Sequence, residues 1–144
     1  MTFREIPYGS ADYRREVDLR FDVLRRQLAP GAADDNYDAE AGYLHFGLFD
    51  EDVLLACCFV VPMENRQGRL RQMAVRADRQ KTGLGRELMG RVETALAEQG
   101  YQRIILHARE VAKGFYARVG YEVTSDEFLE VGLPHFRMEK ALAS

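Results

Sequence analysis

Gln80-Lys81-Thr82-Gly83-Leu84-Gly85 is the stretch whose residue types and spacing most clearly suit chemistry. Gly83 and Gly85 carry no Cβ, so an anion can come close to the backbone there. Lys81 and Arg86 flank them with positive charge. After the loop, Leu84, Leu88, Val92 and Leu96 repeat as the apolar stripe of a helix. The loop therefore feeds a helix N-terminus, whose first N–H groups lack internal partners and carry the positive end of the helix dipole. Together these features predict a phosphate cradle. Three glycine-rich patterns compete for it. A Walker A loop needs two glycines five apart, then Lys and Ser or Thr, and the stretch has neither. A dinucleotide loop needs a third Gly or Ala where Leu88 stands. The third pattern is Gln or Arg, two residues, Gly, one residue, then Gly or Ala, and Gln80 to Gly85 fits it.

The elements that must position this loop follow from hydrophobic periodicity. Leu70 to Val75 reads as the strand before it, and Leu84 to Gln99 as the helix after it, ended by Gly100 at C′. Gln102 to His107 reads as the next strand. Strand, helix and strand then form a right-handed crossover with the two strands parallel. Upstream, Thr2 to Ile6 reads as an edge strand and Ala11 to Leu28 as a helix stopped by Pro30-Gly31. That helix is expected to bury Val17, Phe21, Leu24 and Leu28 and to turn its charged face to water. Ala32 to Ala41 reads as an acidic loop near a site entrance, with Asp34, Asp35, Asp38 and Glu40. Tyr43 to Phe49 and Val53 to Val61 form a hairpin, the second strand apolar enough to lie buried on both faces. Val111 to Val119 is a short helix stopped by Gly120. A strand then starts at Tyr121, and His135 to Leu142 closes the chain. The expected fold class is a mixed α/β sheet, mostly antiparallel with one parallel pair and helices on both faces, in one domain over 1–144. Ligands bind such sheets at the carboxyl ends of strands, where the cradle after Val75 lies.

Composition narrows the function. The 144 residues are 47% hydrophobic and 30% charged, as in a soluble globular protein. A net charge of −3 and no basic tract give no reason to expect nucleic acid. No run of eighteen apolar residues and no leader pattern occurs, so no membrane partner is expected and the cytoplasm is the expected location. Cys57 and Cys58 are the only cysteines. As neighbours on a strand they point to opposite faces and do not suit a bridge. No Cys/His spacing suits zinc, and no metal is expected.

With these motifs in order, the chain resembles the GNAT superfamily of acetyltransferases. Gln80 to Gly85 is similar to the family's pyrophosphate loop. Arg109-Glu110-Val111-Ala112-Lys113-Gly114-Phe115-Tyr116 resembles its second motif, and Gly120-Tyr121 the pair that opens the next strand. The second motif often carries Asn near its start; here His107 and Arg109 stand there. Leu19-Arg20 to Leu24-Arg25, His45, Leu70 to Val75, His107-Ala108-Arg109 and Phe128 to Met138 look like a bacterial branch of small members that includes ElaA-like proteins.

The resemblance implies transfer of an acetyl group from acetyl-CoA, as co-substrate, to a primary amine of a small-molecule acceptor. It assigns coenzyme binding to Met73, Ala74 and Val75, to Gln80, Lys81, Thr82, Gly83, Leu84, Gly85 and Arg86, and to Arg109 and Phe115. It implies that Tyr116 is the acid that protonates the leaving thiolate. A phenol is protonated at neutral pH and can donate. The amine must lose a proton; Glu64, Glu130, His107 and His135 are the candidates, Glu64 and His107 being taken forward. Mid-strand His45 reads as structural, and Arg20, Arg25 and Arg71 read as solvated charges or as anion contacts. Family members often dimerise, so a homodimer is an expected assembly. A non-catalytic acyl-CoA-binding or regulatory domain is the alternative function. A nucleotide-binding protein is a third class, which the failed Walker match disfavours.

Overall fold

The computed structural model describes residues 1–25 and 37–142, the side chain of Arg25 aside. The expected end of the first helix at Leu28, its Pro30-Gly31 stop and the acids Asp34 and Asp35 lie outside the described residues. The strands are β1 (Thr2–Ile6), β2 (Leu44–Asp50), β3 (Val53–Met63), β4 (Gln67–Val75), β5 (Arg103–Arg109), β6 (Glu122–Val123), β7 (Phe128–Glu130) and β8 (Leu133–Ala141). The α-helices are α1 (Ala11–Arg20), α2 (Leu84–Glu98) and α3 (Lys113–Arg118). They form an eight-stranded sheet in the order β1-β2-β3-β4-β5-β8-β6, with β7 paired to β8. β4 and β5 run parallel, and every other pairing is antiparallel.

Two cores, one on each face, hold the sheet. On one, Leu88, Met89, Val92 and Leu96 of α2 are fully buried against Phe46, Cys58, Val60, Leu70, Ile104, Leu106 and Met138. On the other, Tyr13 and Leu19 of α1 meet Ile6, Phe49, Cys57 and Ala74. Cys57 and Cys58 are free thiols on opposite faces, as strand alternation requires. β3 is the central strand that its apolar run predicts, buried from Leu54 to Val60. It continues through Pro62 to Met63, because there it pairs only with β4.

Three details depart from the sequence reading. α1 buries Tyr13, Glu16, Leu19 and Arg20, while Phe21 is 53% exposed. Its charged side chains turn inward because they meet partners there, as described below. After Arg20 the helix widens to π-helical turns over Phe21–Arg25. The stretch before His135 contains β7, a short strand that folds back on β8 through Val131 and Gly132.

Candidate functional site

β4 and β5 hydrogen-bond as a ladder only from Gln67 with Arg103 to Leu70 with Leu106. Beyond that point the strands part. β4 keeps β3 as its neighbour through Val75, and β5 keeps β8 through Arg109. The parting coincides with a bulge in β4. Opposite β3 the register jumps from Phe59–Arg71 to Cys57–Ala74, so Gln72 and Met73 stand against Cys58. Gln72 takes the left-handed φ of +50°, rare for a residue with a Cβ. Such bulges gather beside functional sites, where they re-aim a strand.

A buried polar cluster fixes that bulge. The Arg20 Nε donates to Gln72 Oε1 at 2.9 Å. The same guanidinium donates to Glu16 at 2.8 Å and to both Glu40 oxygens at 2.8 and 2.7 Å. Tyr13 Oη also donates to Glu40, at 2.8 Å. His45 Nε2 lies 2.8 Å from the Glu40 carbonyl and Nδ1 lies 2.9 Å from Glu16 Oε2. A carbonyl only accepts, and Glu16 Oε2 already accepts from Arg20, so both ring nitrogens carry protons. Burial disfavours that charge, but the Glu16 hydrogen bond and charge outweigh it and raise the His45 pKa. Two carboxylates thus face two cations, which makes burial of all four groups tolerable. Glu16, Glu40 and His45 could together hold a metal ion. Arg20 already serves as the cation for both carboxylates. The solvated reading of Arg20 is therefore corrected, and Glu40 of the acidic stretch is buried with it: both are 2% exposed.

The parted strands open onto two adjoining hollows that share Met73 and Tyr116. The first, about 650 Å³, runs toward the N-terminus of α2. Met73, Val75, Gln80, Lys81, Gly83, Gly85, Arg86, Phe115 and Tyr116 line it, together with Arg79 and Arg118. Its lining holds four cations and no carboxylate. Gly83 is the N-cap of α2, at φ +88°, and no side chain caps the helix. The first-turn N–H groups are thus left to an incoming anion. Lys81 also takes a left-handed φ of +63°. Gly85 does a different job from Gly83: a Cβ there would sit 3.0 Å from the Met73 methyl and 3.1 Å from the Phe115 ring.

Not every expected residue presents its side chain here. The Gln80 side chain turns back to the Val75 carbonyl at 3.1 Å, closing the loop. Thr82 donates to the Arg79 carbonyl. The Ala74 side chain packs in the α1-side core, and Leu84 is buried against the α2-side core. Those two could serve a ligand through the backbone alone.

The second hollow, about 350 Å³, lies at the β5 end and is lined by Arg69, Arg71, Gln72, His107, Arg109, Glu130 and His135 beside Met73 and Tyr116. Tyr116 is 9% exposed, and its Oη points across to Met73 Sδ at 3.5 Å. Burial raises its pKa and keeps the phenol protonated. Glu130 Oε1 lies 2.9 Å from His107 Nδ1 and 3.5 Å from Arg69, and Oε2 lies 3.6 Å from His135 Nε2. Burial would raise the Glu130 pKa, but the His107 hydrogen bond and the neighbouring charges lower it on balance. The structure brings together His107, Glu130 and His135 but not Glu64. Glu64 is exposed in the β3–β4 turn, at the opposite end of β4 from Val75, and lines neither hollow. Arg109 lies in the second hollow rather than along the phosphate end. The sequence reading missed Arg69, Arg79 and Arg118; the signal for Arg69 was its two-residue spacing from Arg71, which puts both on one strand face.

Known proteins share this fold. The chain is 37% identical over 79 residues to YjcF of Bacillus subtilis (strain 168), described as an uncharacterized N-acetyltransferase. That match covers 54% of this chain and 56% of YjcF. YyaT of the same organism is 33% identical over 75 residues, 52% of this chain and 51% of that one. The chain spans about half the length of the curated relatives it matches. Among solved structures, Escherichia coli ElaA superposes with a TM-score of 0.82 at 18% identity, over 96% of this chain and 98% of that one. An aminoglycoside 6'-N-acetyltransferase complexed with coenzyme A superposes with a TM-score of 0.78 at 18% identity, over 100% of this chain and 98% of that one. At these identities the superpositions speak to the fold. The family assignment comes from the sequence pattern of the acetyltransferase (GNAT) domain, which matches residues 17–142. A parted parallel strand pair, an uncapped glycine-rich helix start and that match converge on one statement: the chain belongs to the GNAT acetyltransferase family.

Proposed function

We propose that the protein is an N-acetyltransferase that uses acetyl-CoA and acetylates a primary amine of a small acceptor by direct attack. The observation that carries this reading is the groove between β4 and β5, continuous from the α2 N-terminus to Tyr116. The residues fit the coenzyme. The α2 N–H groups from Leu84 to Arg86, with Lys81, Arg79 and Arg118 around them, suit its phosphates. Beyond Leu70, β4 has no ladder partner on the β5 side, and an extended pantetheine arm would fit there like an added strand. When bound, acetyl-CoA supplies an activated acetyl group as a thioester.

The chain's own groups divide the remaining work. The bulge takes Gln72 and Met73 out of register with β3, and the Met73 N–H would polarise the thioester carbonyl. Tyr116 Oη holds a proton to give to the leaving sulfur, and its buried, raised-pKa phenol stays neutral and protonated. His107, with Glu130 beside it, takes the proton that the amine must lose. Atoms balance: the N–C bond forms, the C–S bond breaks, the amine proton goes to the His107–Glu130 pair and the Tyr116 proton goes to sulfur.

Titration calorimetry with acetyl-CoA tests the binding half, and no heat of binding would defeat the proposal. Tyr116→Phe tests the chemical half. Turnover should fall about 10²- to 10⁴-fold with coenzyme affinity unchanged. Unaltered turnover in that variant would remove Tyr116 from the mechanism. Unsubstituted protein that binds acetyl-CoA yet releases no CoA to any amine of a broad panel would favour the acyl-CoA-binding reading.

A further inference from the structure

The second hollow holds more positive charge than its catalytic duty asks for. Besides Arg109, two guanidiniums, Arg69 and Arg71, share its wall with a single carboxylate, Glu130. They sit two residues apart on β4, so both project from one face of the sheet. Among the described residues Arg71 makes no ion pair and no hydrogen bond; its one contact of note is with the Phe59 ring, 5.7 Å from the guanidinium carbon. Arg69 is also short of partners. Its terminal nitrogen lies 2.9 Å from His107 Nδ1 and 3.5 Å from Glu130 Oε1, while its Nε is buried with no hydrogen-bond partner.

Proton bookkeeping sharpens the point. Arg69 can only donate, so a hydrogen bond to His107 Nδ1 needs a lone pair there. Glu130, when ionised, can only accept, so its 2.9 Å contact with the same Nδ1 needs a proton there. One atom cannot satisfy both at once. When His107 donates to Glu130, Arg69 keeps only the longer contact with that carboxylate. Burial first, and then the charge of Arg71, already disfavours the charged form of Arg69. A half-buried guanidinium without its own anion is costly. An anion arriving with the ligand would relieve both arginines. Guanidinium forks suit carboxylate and phosphate geometry.

Resting on the acetyltransferase reading above, we propose that the acceptor is a small amine that also carries an anionic group, a carboxylate or a phosphate. Arg71 and Arg69 hold the anion, and the His107–Glu130 pair faces the amine. The volume of about 350 Å³ suits an acceptor of small-molecule size. Acceptors whose only charge is positive meet two like charges in this wall and are disfavoured.

The test uses the full chain in complex with CoA and matched ligand pairs. One pair is an α-amino acid and the amine that lacks its carboxylate; another is an aminoalkyl phosphate and the corresponding aminoalcohol. Calorimetry reads binding of each, and thiol release from acetyl-CoA reads turnover. The anionic member of a pair should bind about tenfold or more tightly, as a charge-assisted hydrogen bond contributes. The two pairs separate carboxylate from phosphate. Arg71→Gln should raise the KM of the anionic acceptor by about the same factor, leave the KM for acetyl-CoA alone and bring each pair close to parity. Arg71→Lys, which keeps the charge but loses the fork, should fall between and guards against a folding defect. Equal or better binding of the amines that lack the anion, or no binding of any anionic member, overturns the inference while the acetyltransferase reading stands. Failure to bind acetyl-CoA overturns both.

Discussion

Tyr116 and His45 illustrate how burial and neighbouring charge set the protonation of single residues in this protein. Desolvation raises the Tyr116 pKa, so the phenol holds its proton through and beyond the ordinary tyrosine range near 10. The rate should therefore show no loss from this group between neutral pH and about pH 10; a pH–rate profile of thiol release reads it directly. His45 titrates in the opposite setting. Its folded pKa is raised above the unfolded value of about 6.5. Its contribution to stability is full below about pH 6.5 and drains away as pH climbs through the raised value. Thermal melts of the native protein should show a falling Tm across that window. His45→Gln, which cannot charge, should flatten the slope whatever its absolute stability.

At the scale of elements, the α2 start and the β4 edge each make a separable prediction. Gly83→Ala finds open space for its methyl group, since nothing lies within 4 Å. The cost is then purely the left-handed φ of +88°, about 1 kcal/mol or slightly more. A small drop in Tm and weaker acetyl-CoA binding should appear together, because relief of the strain swings the loop N–H groups away from the ligand. Hydrogen exchange addresses the β4 edge. Amides 67–70 are already in the parallel ladder with β5, whereas amides 71–75 are not. Adding acetyl-CoA should slow exchange within 71–75 and leave 67–70 as they were. Uniform slowing along β4 would mean that the coenzyme does not lie in the parting.

For the molecule as a whole, ligand binding and stability are linked. A coenzyme that binds only the folded chain adds about 2.7 kcal/mol at one hundred times its Kd. For a chain of this size that should raise Tm by roughly 5–10 °C. A thermal-shift titration checks it, and a shift with ATP equal to that with CoA would favour the nucleotide-binding class instead. Among the described residues no helix is long and apolar enough to cross a membrane.

How much of this was readable in the chain itself differs by residue. The loop from Gln80 to Gly85, the stripe of α2, the apolar run of β3 and the Phe115-Tyr116 helix were readable because each is a local pattern of propensity and periodicity. The parallel β4–β5 pair followed from crossover handedness. The proposed acid–base pair was not readable. His107 and Glu130 stand 23 residues apart; only the β5–β8 register and the β7 turn-back bring them together, while Glu64, equally plausible by type, is carried to the far end of β4. Nor could periodicity show that α1 would bury Glu16 and Arg20. Their partners Glu40, His45 and Gln72 come from three other segments, and a buried charge is tolerable only once such partners are in place. The sequence by itself determined the glycine-rich start of α2, the apolar stripe behind it and the parallel β4–β5 pair. The tertiary structure alone decided which ionisable side chains face the groove, because contacts between distant segments depend on strand register and bulges that local patterns do not encode.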